Sequence, residues 1–118
     1  MTQDQLWNQA VKHPAGYRET GPDAVVAALD AARIIDVREP FEFVSGRVPG
    51  SELVPLGEFA AASTHWNKDD LYVLVCRSGA RSGRAAGYLA SQGFTRVINM
   101  AGGMLEYAAA GLDLETAA

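Results

Sequence analysis

The spacing of apolar residues changes several times along the chain, and each change marks an element. Leu6, Trp7 and Ala10 recur at helical intervals behind Thr2, a candidate cap, and His13-Pro14 ends the run, so a leading helix is predicted over residues 3–12. Tyr17-Arg18-Glu19 reads as an edge strand. Thr20-Gly21-Pro22-Asp23 then offers a cap and a proline near the first helical position, predicting a helix to Leu29. Arg33 to Val37 is rich in β-branched residues and lacks the alternation that would leave one face in water, as in a buried parallel strand. Arg38 to Val44 is a helical turn closed by Ser45-Gly46. Pro49-Gly50 marks a turn before a Leu53-Val54 strand and a small helix over residues 56–61. Leu71 to Val75 is the strongest strand. It runs into Cys76-Arg77-Ser78-Gly79-Ala80-Arg81-Ser82 and a helix over residues 81–92, with Gly93 as its stop. A strand over Arg96 to Met100 and a helix over residues 104–110 complete the pattern.

Strands alternate with helices throughout, which predicts an α/β domain built on a mainly parallel sheet. The chain has 118 residues, enough for one core without disulfides or a structural metal. With 48% hydrophobic and 20% charged residues it has the balance of a folded domain rather than a disordered segment. Residues 1–16 are expected to be a helical extension packed on a domain spanning 17–118, a packing arm with no chemistry of its own.

Charge and cysteine usage narrow the function. A formal net charge of −4 argues against nucleic-acid and acidic-membrane partners, both of which need a basic field. The polar start of the chain lacks the basic residues and apolar run of a signal peptide, and no segment approaches membrane-spanning length; cytoplasmic residence is expected. One cysteine forms no internal disulfide, and with two distant histidines it makes no recognisable metal site. Against this acidic background Arg77, Arg81 and Arg84 cluster with no carboxylate between Cys76 and Arg84. A small anionic ligand is expected there.

Cys76 falls at the carboxyl end of a buried parallel strand, where ligands bind in such sheets. A glycine-containing loop at that point can turn backbone N–H groups inward, and the helix that follows presents unpaired N–H groups to the same space. A free thiol has a pKa near about 8.5, and such surroundings lower it into the range of roughly 3.5 to 7.5. A helix dipole contributes only about 0.3 to 1 kcal/mol, so loop N–H bonds at roughly 1.5 to 3 kcal/mol each must supply most of the shift. The opposing reading, an inert apolar thiol at a strand end, leaves unexplained the arginines, serines and glycine that follow it. Gly79, Gly83 and Gly87 are four apart, and Gly83 with Gly87 share a helix face that allows close approach to the sheet or to the loop; His13 and His65 stand without partner motifs.

Together these residues resemble a single-domain rhodanese, the sulfurtransferase module. Asp36-Val37-Arg38-Glu39 with Phe43, Gly46-Arg47-Val48-Pro49-Gly50-Ser51, the loop Cys76 to Ser82, and Gly102-Gly103 match in order. The resemblance implies a central five-stranded, mainly parallel sheet flanked by helices on both faces. It implies Cys76 as the sulfur-accepting nucleophile, and Arg77, Ser78, Gly79, Ala80, Arg81 and Ser82 as the cradle for a persulfide and an incoming anion. Asp36 and Arg38 become a buttressing pair behind the loop. Three positions depart from the pattern: Arg47 where histidine is usual, Tyr107 where tryptophan is usual, and aromatic Phe41 where a polar residue is usual. The first two read as packing changes, with Arg47 an added charge near the mouth, and Phe41 as a mark of a partner surface.

The implied reaction draws a sulfane sulfur from a small anionic donor such as thiosulfate and passes it to a thiol or sulfur-carrier protein. It needs no cofactor and no metal, and a monomer suffices. Two alternatives stand beside it. A cysteine phosphatase or arsenate reductase also sets cysteine and arginine around an oxyanion, but with a longer loop than the four residues between Cys76 and Arg81. A non-catalytic interaction module commonly lacks the cysteine.

Overall fold

Five consecutive apolar residues, Leu71–Val75, have nowhere to go but the centre of a sheet covered on both faces, and all five are buried. The computed structural model describes residues 1–116. In chain order it contains α1 (Gln3–Gln9), β1 (Val11–Lys12), β2 (Arg18–Thr20), α2 (Pro22–Val26), β3 (Arg33–Asp36), α3 (Pro40–Val44), β4 (Glu52–Leu53) and α4 (Leu56–Ala62), which runs into a tight 3-10 turn at Ser63–His65. Then come β5 (Leu71–Val75), α5 (Ala80–Ser91), β6 (Arg96–Met100) and α6 (Gly103–Ala109). The sheet order is β1-β2-β6-β5-β3-β4, parallel except for β1 against β2.

The period-two pleat of β5 divides the core. Val73 and Val75 face one side with Ile34, Ile98 and Met100, where Leu6 of α1, Val25 of α2 and Tyr107 of α6 close over them. Tyr72 and Leu74 face the other side with Ile35 and Val97, under Phe59 of α4 and Ala85, Ala86 and Leu89 of α5. Each large apolar side chain so buried contributes about 1.5–3 kcal/mol. Cys76 lies on the α4–α5 side, directly beyond Val75.

The sheet has six strands, one more than expected, and the extra strand comes from the N-terminal segment. α1 is capped by Thr2, with Gln5 completing the box, but it stops at Gln9 rather than running to residue 12. Val11 and Lys12 instead pair antiparallel with Glu19 and Arg18, so β2 is covered and β1 forms the edge. An unpaired β2 would present a row of open N–H and C=O groups, and the short antiparallel partner satisfies them. Within residues 1–16, Leu6 is fully buried in the core and the Arg18 guanidinium lies 4.1 Å from the Trp7 ring centre. The expected domain end at residue 118 lies outside the described residues.

The other shifts are small. α2 ends at Val26, not Leu29, because the chain tightens into turns that bring it round to β3, with Ala28 N–H on the Val25 carbonyl and Ala31 N–H on that of Ala28. Pro22 occupies the first helical turn as expected, and Gly21 is the cap residue. β4 is Glu52–Leu53, and Val54 N–H extends its bonding to the Asp36 carbonyl at 2.9 Å. Among the described residues no helix is long and apolar enough to cross a membrane.

Candidate active site

The site is built where β5 ends. Cys76 is fully buried, and the chain then turns at Gly79, whose φ of +97° belongs to the left-handed region that glycine adopts without a steric penalty. α5 begins at the next residue. The turn brings Gly79 N–H to 3.1 Å from Cys76 Sγ and the Ser82 hydroxyl oxygen to 3.3 Å. Burial pushes the thiol pKa up. The Ser82 hydroxyl and the N–H groups of Ser82, Gly79 and Ser78 outweigh it and hold the thiol below its ordinary value. Hydrogen bonding to the charged form leads in lowering the pKa, and the Arg81 charge acts in the same direction.

The loop turns its N–H groups inward because its carbonyls are held outward. Cys76 and Arg77 carbonyls accept from Met104 and Leu105 N–H at 2.9 and 3.0 Å, so the first turn of α6 grips the loop from behind. That contact leaves no room for a side chain at Gly103: a Cβ there would lie 2.5 Å from the Arg77 carbonyl oxygen and 2.6 Å from that of Cys76. The Gly102-Gly103 pair is therefore part of the cradle. Sequence reading noted it as a motif without seeing its purpose.

The arginines diverge. Arg77 is exposed and lines a cavity of about 280 Å3 with Arg38, Phe41, Glu42, Ser45, Met104 and Leu105. Arg81 makes a two-pronged ion pair with Glu42 of α3, at 2.8 and 3.0 Å. The Arg81 guanidinium holds the Glu42 carboxyl at a pKa of about 2, against an opposing push from burial and with help from the Glu39 N–H. The sequence window that held no carboxylate thus receives one from 39 residues upstream. Arg84 is exposed on α5. Ser78 accepts the Ala80 N–H at 3.4 Å, and Ala80 itself is exposed at the first turn of the helix.

Asp36 and Arg38 sit together at the end of β3. Both are buried; Arg38 Nη2 lies 2.8 Å from Asp36 Oδ2 and its Nε 3.0 Å from each carboxylate oxygen. Arg38 also donates to the Gly46 carbonyl at 2.8 Å, tying β3 to the segment after α3. Arg47 points elsewhere. Its guanidinium pairs with Glu115 at 3.2 Å and lies 4.5 Å from the Phe43 ring centre, while its backbone bridges Glu115 in both directions. Tyr107 is buried, and its hydroxyl donates to the Asp113 carbonyl. Phe41 is 75% exposed at the rim of the cavity. Sequence reading missed Glu42, and it missed Asn99, which accepts from the Ser82 hydroxyl at 2.6 Å. Among the described residues no group of three or more His, Cys, Asp or Glu side chains is arranged to hold a metal.

Residues 21–110 match the model of the rhodanese-like domain. The chain belongs to the rhodanese-like family. A sulfurtransferase of Allochromatium vinosum is 37% identical over 75% of this chain and 83% of its own length, and the thiosulfate sulfurtransferase GlpE of Pseudoalteromonas translucida is 36% identical over 65% and 73%. A putative sulfur carrier protein of Bacillus subtilis, YrkF, is 37% identical, but the alignment spans only 42% of its length. Among solved structures, a rhodanese-related protein from Thermoplasma volcanium matches with a TM-score of 0.77 at 27% identity, covering 84% of this chain and 98% of that one. A rhodanese with anions from E. coli matches with a TM-score of 0.61 at 30% identity, covering 74% and 100%. The fold expected of a rhodanese-like domain is thus present, with β1 added at its edge.

Proposed function

We propose that this rhodanese-like domain is a sulfurtransferase that carries sulfane sulfur as a persulfide on Cys76. The supporting observation is the sulfur's position: the Gly79 N–H lies 3.1 Å away, the backbone of Ser78 and Ser82 also favours its charged form, and α6 binds the Cys76 and Arg77 carbonyls behind it. Preorganised donors of this kind stabilise developing negative charge without reorganising during reaction. In the first half-reaction the Cys76 thiolate attacks the outer sulfur of thiosulfate. A new S–S bond forms, the old one breaks with its electron pair leaving on sulfite, and the persulfide anion remains. In the second, an acceptor thiolate or cyanide takes the outer sulfur and the Cys76 thiolate is regenerated. The relatives named for sulfur transfer and the neighbour with anions fit this reading.

Arg77 is the cation available at the cavity, since Arg81 is engaged by Glu42. Exposed Phe41 and Leu105 flank the same opening, which suits docking of a thiol-bearing carrier protein as acceptor. Cytoplasmic residence and a monomeric state complete the proposal. The four-residue spacing from Cys76 to Arg81 leaves less room for phosphate or arsenate than a phosphatase loop.

The test is the intact mass of the purified protein after thiosulfate, before and after cyanide, beside Cys76→Ser. A gain of one sulfur on the wild type alone, removed by cyanide, is expected. No adduct together with turnover of a phosphate ester or arsenate would overturn the proposal in favour of the phosphatase class.

A further inference from the structure

The hydroxyl beside the sulfur has two claims on a single proton. Ser82 Oγ lies 2.6 Å from Asn99 Oδ1 and 3.3 Å from Cys76 Sγ, and a hydroxyl donates only once. Asn99 cannot turn away to resolve this. Its Nδ2 donates to Glu19 Oε2 at 2.9 Å and to the Gly79 carbonyl at 3.1 Å, and a reversed amide would set its oxygen against both acceptors. Oδ1 is thereby aimed at Ser82. Cys76 and Ser82 are fully buried and Asn99 is 2% exposed, so water does not replace a lost partner.

We propose that Asn99 is a positioning residue of the sulfur site, one that competes with Cys76 for the Ser82 hydroxyl proton and so restrains ionisation of the sulfur. While the thiol is protonated, S–H donates to Ser82 Oγ, the Ser82 proton stays on Asn99, and every group is satisfied. When the sulfur ionises, the hydroxyl turns to Sγ and the buried Asn99 oxygen loses its donor. Ionisation therefore requires breaking the short Ser82–Asn99 bond.

The inference rests on Cys76 being the sulfur-accepting nucleophile, where the restraint has a use. A thiolate of lower pKa attacks a donor less strongly but leaves faster when its outer sulfur is taken. Asn99 sets the balance between the two half-reactions from one atom behind the reacting centre. The charged groups around the loop are Arg77, Arg81 with Glu42 of α3, the Asp36–Arg38 pair of β3, and Glu19 of β2 behind Asn99. All of them remain in an Asn99 variant, so their fields are common to both sides of the comparison.

The experiment follows thiolate ultraviolet absorbance against pH, which needs no reagent to reach a buried sulfur. The full chain has a single cysteine, and Cys76→Ser supplies the blank. Asn99→Ala is expected to lower the midpoint by about one pH unit, about tenfold more thiolate below both midpoints, as the freed hydroxyl commits to the sulfur. In a Ser82→Ala background the same change is expected to move the thiolate ratio by less than about twofold. Asn99→Val, whose β-branched side chain suits a strand, makes the same test with the space filled. Glu19→Gln removes the charge yet leaves an oxygen for the Asn99 amide, and is expected to stay within about twofold of wild type.

An unchanged or raised midpoint in the Asn99 variants, or a shift that persists without Ser82, would overturn the proposal. A Glu19→Gln shift equal to that of Asn99→Ala would assign the effect to charge and overturn it too. No sulfur donor is present in these titrations, so a failure of sulfur transfer and a failure of this inference give different results.

Discussion

Gly102 and Gly103 offer a paired test of how the cradle is held. Both have positive φ, +78° and +56°, so alanine at either site meets the left-handed penalty of about 1–2 kcal/mol. Their neighbours differ. A Cβ on Gly102 would meet the end of the Glu106 side chain, an exposed group that can swing aside. A Cβ on Gly103 would lie 2.5 Å from the Arg77 carbonyl oxygen and 2.6 Å from that of Cys76, backbone atoms that move only by lifting the loop off α6. Overpacking of that kind costs about 1–3 kcal/mol, and it strains the two bonds from Met104 and Leu105 N–H, each worth about 1 kcal/mol.

Gly103→Ala should therefore cost about 3–5 kcal/mol and Gly102→Ala about 1–2. At roughly 4 °C per kcal/mol for a domain of this size, Tm falls by about 12–20 °C in the first and about 4–8 °C in the second. Thermal unfolding by circular dichroism reads both. Persulfide formation measured well below each Tm should drop in Gly103→Ala and persist in Gly102→Ala. Equal Tm values, or the larger loss at Gly102, would refute the idea that α6 presses directly on the loop backbone.

Glu42→Gln should free Arg81 and lower KM for thiosulfate about tenfold, taking a unit charge at about 6 Å with an effective dielectric near 40 as worth ~1.4 kcal/mol; an unchanged or raised KM in steady-state assays would count against it. The same carboxylate makes a pH prediction. Its folded pKa of about 2 lies below the ordinary 4.5, so its contribution to stability is complete above about pH 4.5 and is lost as pH falls towards about 2. The gap in denaturation midpoint between wild type and Glu42→Gln should close over that interval, and a gap constant with pH would contradict the pairing. Asp36→Asn leaves the Arg38 guanidinium buried without its counter-ion and should cost about 3 kcal/mol in urea unfolding. A loss under about 1 kcal/mol would mean that the Gly46 carbonyl alone satisfies Arg38.

What the sequence made legible, and what it hid, follows from the range of the interactions concerned. β5 was readable to the residue because a strand buried on both faces must be apolar along its whole length, a local property, and β6 follows that pattern in Val97, Ile98 and Met100. The Cys76 loop was readable because strand, turn glycine and helix follow one another without interruption. Glu42 was not. It lies in a short helix whose own sequence shows only a capping role, through its side chain on the Glu39 N–H, and nothing near Arg81 announces a partner 39 residues away. Asn99 was hidden differently: a polar residue in an apolar strand is a visible anomaly, yet its meaning depends on which of its neighbours the sheet order brings beside β6. β2 supplies Glu19 and β5 the loop, and neither adjacency is encoded near residue 99. The sixth strand was missed for a related reason, since Val11 and Lys12 carry no periodic signal of their own and are strand only because β2 needs a partner. Local pattern located the sulfur; the residues that govern its charge are assembled by topology, and an anomalous buried polar residue beside the site is the sequence signal that would have found them.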